Sequence, residues 1–74
     1  MKLNEMKAGE KGKIRTVSGE PAFVRRITAV GMTPGSNFEV IRNERKCPML
    51  LYVRNTMLAV NTADCGMIEV EVTA

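Results

Sequence analysis

Seventy-four residues with a net charge of +3 make one small domain. A chain of this length buries only about 60% of the surface its unfolded form exposes, which leaves no room for a deep substrate cavity beside a core. Histidine and tryptophan are absent, so the usual general base and the commonest metal ligand are both missing.

The first residues suggest a short turn capped by Asn4 and running to Lys7, closed by Ala8-Gly9. No apolar run here is long enough for a signal peptide, and none anywhere approaches the roughly 20 residues needed to span a bilayer. Gly9 and Gly12 bracket a tight turn, and residues 12–17 read as a first strand carrying Ile14, Thr16 and Val17. Ser18-Gly19-Glu20-Pro21 reads as a helix start. Ser18 or Glu20 can offer a capping oxygen, and Pro21 suits the first helical position. Phe23, Ile27 and Val30 then share one narrow helical face, with Val24 at its edge; Arg25 points nearly opposite and Arg26 flanks the stripe. Gly31 fits the left-handed position that ends a helix.

Pro34-Gly35 is a type II turn signal, since proline presets one φ and glycine accepts the positive one. Asn37–Arg42 reads as a strand with Phe38 and Val40 on one face. Residues 43–47 are a polar, basic hairpin tip. Residues 49–54 form the next strand, whose inward face is ambiguous because Leu50 and Leu51 adjoin. A turn at Asn55-Thr56 leads to a strand over 57–61, and residues 62–67 read as one helical turn capped by Asn61 or Thr62. In the last strand Ile68, Val70 and Val72 alternate with Glu69 and Glu71. Met32, Met57 and Met67 are expected as core gap-fillers. Five short strands with one helix inserted after the first give a mainly β fold, a small curved barrel whose closure removes exposed edges. Strand count alone leaves SH3-like and OB-like barrels both open.

Register and spacing together resemble one known family. The elements are Leu3 with Met6-Lys7-Ala8-Gly9, then Gly12 and Ile14. Arg25-Arg26-Ile27, Val30-Gly31-Met32 and Pro34-Gly35 follow, then Phe38-Glu39-Val40 and Pro48. Leu58-Ala59-Val60, Ala63 and Ile68-Glu69-Val70 complete the set. This pattern resembles the FeoA family of bacterial ferrous-iron uptake, almost end to end. The resemblance implies an SH3-like barrel and, as partner, FeoB, a membrane Fe²⁺ transporter with a cytosolic GTP-binding domain. The same barrel ends iron-dependent repressors of the DtxR kind, which gives the alternative reading of a regulatory module acting in trans. Asn61 stands where the family often has arginine, Asn55 where glycine is common, and Cys47 replaces a small or acidic residue before Pro48.

The candidate partner surface comprises Arg25, Arg26, Met32 and Thr33 around the helix, and Arg42, Arg45 and Lys46 at the basic tip. Gly31, Pro34 and Gly35 are read as structural. The tip can steer the chain toward an acidic surface or anionic lipid. Nucleic acid is not expected, because Phe23, Phe38 and Tyr52 are the only rings and Phe38 belongs to the core. A small nucleic-acid-binding barrel would rest on the basic balance alone. No nucleophile–base pair and no phosphate-binding loop occur, so an enzyme is not expected. No cofactor is required. Cys65 and Asp64 are the weak candidates for holding a transition-metal ion, with Cys47 a further thiol. Two cysteines far apart suggest free thiols in a reducing, cytoplasmic compartment, with recruitment to the inner face of the membrane through the partner. A homodimer would pair through the edge strand Ile68–Val72.

Overall fold

A computed structural model describes residues 1–73. A single 3-10 turn at Leu3–Glu5 is followed by β1 (Lys11–Val17), α1 (Pro21–Ala29), β2 (Asn37–Arg42) and β3 (Met49–Val53). β4 (Thr56–Val60), α2 (Thr62–Cys65) and β5 (Ile68–Val72) complete the order. The strands form one antiparallel sheet in the order β4-β3-β2-β1-β5. Register shifts between Ile14 and Thr16 in β1, and between Val40 and Arg42 in β2, bend the sheet toward a barrel. Its concave face buries Ile14, Phe38, Val40, Met49, Leu51, Val53, Val60, Ile68 and Val70. Leu3, Met6, Ile27, Met32 and Cys65 join the same core.

The β3–β4 hairpin resolves the Leu50–Leu51 ambiguity. Leu51 is fully buried with Met49 and Val53, and Leu50 lies on the outer face beside Tyr52. The turn is Arg54-Asn55, one residue earlier than the sequence suggests. Val53 pairs with Thr56, and Arg54 and Asn55 carry φ of 50° and 62°, as a two-residue I′ turn requires. A slip by one residue would have turned Leu58 and Val60 outward. Tyr52 Oη donates to Asn55 Oδ1 at 3.3 Å, which helps hold asparagine in a position where glycine is easier.

Other expectations are corrected by packing. The first turn is not capped by Asn4: its own Glu5 carboxylate accepts the Lys2 N–H at 2.7 Å. Neither Ser18 nor Glu20 caps α1 through its side chain. Ser18 Oγ donates instead to the Met67 carbonyl at 3.0 Å and ties the helix approach to the loop before β5. α1 stops at Ala29, so Val30 caps it and is 45% exposed, leaving Ile27 and the half-buried Phe23 to face the core. Met57 and Met67 are also on the surface, Met57 because it lies opposite Tyr52 on the outer face. The core methionines are Met6, Met32 and Met49.

β5 is an outer strand of the sheet, as expected, but it does not offer a free edge. Lys2 bridges to Glu69, and Val70 N–H donates to the Met1 carbonyl at 2.8 Å. The uncovered outer strand is β4: among the described residues no backbone group pairs with its far side.

Candidate functional site

Two surface regions meet at β4. The first is α1 with the corner that follows it. Pro21 starts the helix with φ preset, and Arg25 stands on the face turned away from the core, exposed and without an ion-pair partner among the described residues. Arg26 lies 5.5 Å from the Phe23 ring centre and places Nη2 3.4 Å from Asp64 Oδ2 on α2. Both members of this pair are well exposed, so it contributes about 1 kcal/mol at most and serves to orient the guanidinium.

Gly31 closes the helix with φ of 105°, and the chain then passes inward at Met32. Met32 is fully buried, so the expectation that it touches a partner is not met; it supports the corner from beneath. Thr33 is half-buried and shares a 2.8 Å hydrogen bond with Ser36 Oγ. Thr33-Pro34-Gly35-Ser36 is the predicted turn: Ser36 N–H donates to the Thr33 carbonyl at 3.0 Å, and Gly35 has φ of 91°. Gly35 N–H donates to the Ile14 carbonyl and Ile14 N–H to the Ser36 carbonyl. The turn is thus fixed to β1, and the helix corner is rigidly placed.

The second region is the tip between β2 and β3. Arg42 Nε lies 3.7 Å from Glu44 Oε1, too far for a hydrogen bond, and has no other partner among the described residues. Arg45 and Lys46 are exposed, with Lys46 in the left-handed region at φ of 63°. Asn43 anchors the base of the tip by donating to the Met6 carbonyl at 2.6 Å, and Thr62 Oγ1 donates to the Cys47 carbonyl at 3.0 Å.

Between these regions runs a groove of about 330 Å³, walled by Ile27 and Val30 of the helix side and by Leu58 and Val60 of β4. Arg26, Asn61 and Asp64 lie at its rim. Asn61 also borders the cleft under Arg45 and Lys46, so the groove and the basic tip adjoin at this residue. Asn61 accepts the Ala63 N–H at 3.1 Å and caps α2, which accounts for asparagine at this position. Sequence reasoning missed Arg54 and the bare β4 edge. The signal was present: Thr56–Val60 contains neither a charge nor a proline to protect an edge.

Cys65 and Asp64 do not converge on a common ion. Cys65 is fully buried with Sγ toward the Val60 carbonyl, and burial, with Asp64 adding, pushes its thiol up to about 12. The Asp64 carboxylate faces outward to Arg26. Among the described residues no three Cys, Asp or Glu side chains gather to hold a metal, and no helix is long and apolar enough to cross a membrane. Phe38 is buried and Phe23 is half-covered, so Tyr52 is the one ring on the open outer face, too few for stacking successive bases.

A family model described as the FeoA domain matches residues 1–72. The fold is similar to a crystal structure of an iron uptake regulatory protein, FeoA. The TM-score is 0.93 at 23% identity, over 99% of this chain and 97% of that one. It is similar to the solution structure of the FeoA protein from Chlorobium tepidum, with a TM-score of 0.89, 28% identity, and 100% and 71% of the two chains covered. It is also similar to Stenotrophomonas maltophilia FeoA, solved with zinc and described as a prokaryotic SH3 domain protein. There the TM-score is 0.83, identity is 20%, and 96% and 89% of the chains are covered. The barrel is therefore SH3-like. No curated protein sequence matches the chain.

Proposed function

This chain belongs to the FeoA domain family, and from that premise we propose that it is a non-enzymatic accessory protein of ferrous iron uptake. It binds the cytosolic region of a FeoB-type, GTP-dependent Fe²⁺ transporter and modulates it. The carrying observation is the family match over residues 1–72. The surface agrees with a docking role: basic side chains flank an apolar groove.

In this reading Arg25, Arg26 and Thr33 form the helix side of the contact, and Arg42, Arg45 and Lys46 the tip. Arginine is enriched at interfaces. The tip charges would chiefly speed association and fade with salt. The protein works at the inner face of the membrane through its partner and needs no resident cofactor. Any transition-metal ion would be held weakly, because the Cys65 thiol is buried and protonated and the Asp64 carboxylate is engaged by Arg26.

Affinity capture from detergent-solubilised cells tests the partner. The tagged chain is expected to retain a large membrane GTPase, and Arg25→Glu, on an exposed helix face, to lose it without a change in melting temperature. Retention undiminished by Arg25→Glu would remove the helix from the contact, and recovery of no such GTPase would remove the transporter reading.

A further inference from the structure

The β3–β4 hairpin determines what the open side of β4 presents. Val53 and Thr56 flank a two-residue turn, so they form a hydrogen-bonded pair, and such pairs alternate along an antiparallel ladder. Thr56, Leu58 and Val60 therefore turn their backbone groups toward β3. Met57 and Ala59 turn theirs outward, where nothing among the described residues meets them. Natural edges are usually blunted by lysine, proline or a bulge. β4 has none of these, and its register with β3 runs unbroken from Thr56 to Val60.

Beside this edge lies the apolar groove of Ile27, Val30, Leu58 and Val60. Its ends are basic. Arg54 precedes β4 in the turn, and Arg45 and Lys46 line the neighbouring cleft, which meets the groove at Asn61. The two acidic residues of these surfaces are already opposed by arginines, Asp64 by Arg26 and Glu44 by Arg42. Arg45, Lys46 and Arg54 have no such partner among the described residues.

We propose that the β4 edge is a docking site for an extended, acidic segment of a partner protein, which adds to the five-stranded sheet as one more strand. The segment's backbone pairs with Met57 and Ala59. Alternate apolar side chains enter the groove, and carboxylates toward its ends face Arg54 on one side and Arg45 and Lys46 on the other. Backbone pairing supplies affinity, and the groove and charges supply selectivity. A second copy of this chain is the poorer occupant. Antiparallel pairing of two β4 strands sets the Arg54 end of each against the Arg45 and Lys46 end of the other, and parallel pairing sets like ends together. The proposal rests on the reading of this chain as a docking module and does not depend on which protein carries the segment.

The test is an NMR titration of the full chain with a synthetic peptide of alternating valine and threonine, flanked by glutamates at both ends. Amide exchange at Met57 and Ala59 is expected to slow about tenfold or more at saturation. The same core flanked by lysines is expected to bind about tenfold more weakly at low salt, with the gap closing as salt rises. Ala59→Pro removes an outward donor and spares the β3 ladder, so it should abolish binding. Should that variant fail to fold, Arg54→Glu combined with Lys46→Glu keeps the test open and should reverse the preference between the two peptides. Equal binding of both peptides would overturn the proposal, as would no binding of the acidic one. Shifts confined to β5 or the outer face, or concentration-dependent protection of Met57 in the free protein, would also overturn it. A positive peptide result beside a failed capture of the GTPase would keep the surface and remove only the transporter.

Discussion

The two outer strands of the sheet solve the same problem in opposite ways. β5 is sealed by the chain's own start. Lys2 bridges Glu69, the Met1 carbonyl takes the Val70 N–H, and the Met1 ammonium lies 2.9 Å from the Glu69 carboxylate. Leu3 and Met6, just beyond, are fully buried and pull that segment into the core. β4 has no such cover, and Met57 on it is 54% exposed. A barrel this small closes one side with its terminus and leaves the other side bare. The contrast teaches that the bare side is not a general property of short strands, since a strand of the same length is covered on its other flank.

The comparison is broken most forcefully by removing the anchor of the seal. Leu3→Ala empties a fully buried leucine site and is expected to cost about 2–4 kcal/mol, read by urea unfolding, with faster amide exchange at Val70. A loss below about 1 kcal/mol would show that the first turn is not part of the core. On the β4 side the sensitive position is Gly31. A side chain there meets φ of 105° and a Cβ placed 3.3 Å from Arg54 Cδ. Gly31→Val is expected to cost at least about 1 kcal/mol, and an unchanged melting temperature would contradict the left-handed geometry.

Smaller and more specific is the pH response of the seal. The Met1 ammonium, donating to Glu69, holds that carboxyl below its ordinary value of 4.5. Lys2 adds to this, and partial burial opposes it. A carboxyl lowered in the folded state stabilises at pH above its unfolded value, and the effect is lost as pH falls through the folded one. Wild type should therefore melt above Glu69→Gln near neutrality, and the two curves should converge as pH falls below 4.5 and through the lowered folded value. A gap that persists at low pH would mean that Glu69 acts by packing rather than by charge.

What could be read from the sequence divides along the same line. Alternation in Asn37–Arg42 and over Ile68 and Val70, and the Gly31 and Pro34-Gly35 punctuation, are local signals that the structure realises, whereas Val72 at the end of β5 is exposed. The family pattern carried the SH3-like topology that strand count left open. Three features depend on long-range contacts and were misread: the face of Met57, the exposure of Val30, and the sealing of β5 by residues 1–2. Helical periodicity placed Val30 on the core stripe, but the helix ends one residue earlier, so its side chain stays half-exposed and lines the groove instead. The basic tip was legible from composition. Its nearness to the β4 groove was not, because the two meet at Asn61, which borders both surfaces and is named by neither pattern.

The two cysteines give the finest probe of the contrast. Cys65 sits in α2, between β4 and β5 in sequence and packed against the first turn. Its thiol is buried and pushed up to about 12. Cys47 is half-buried at the basic tip. Thiolate is the reactive form, so an aromatic disulfide reagent at mildly alkaline pH should label Cys47 quickly and Cys65 only as fast as the core opens, with both reacting in urea. Leu3→Ala should then accelerate Cys65 far more than Cys47, because Cys65 reacts only as the core opens and Cys47 is already half-exposed at the tip. Equal labelling of both thiols in wild type would mean that α2 opens in the native state. The seal on β5 would then be as transient as the cover that β4 lacks, and the bare edge would lose its standing as the one surface prepared for another chain.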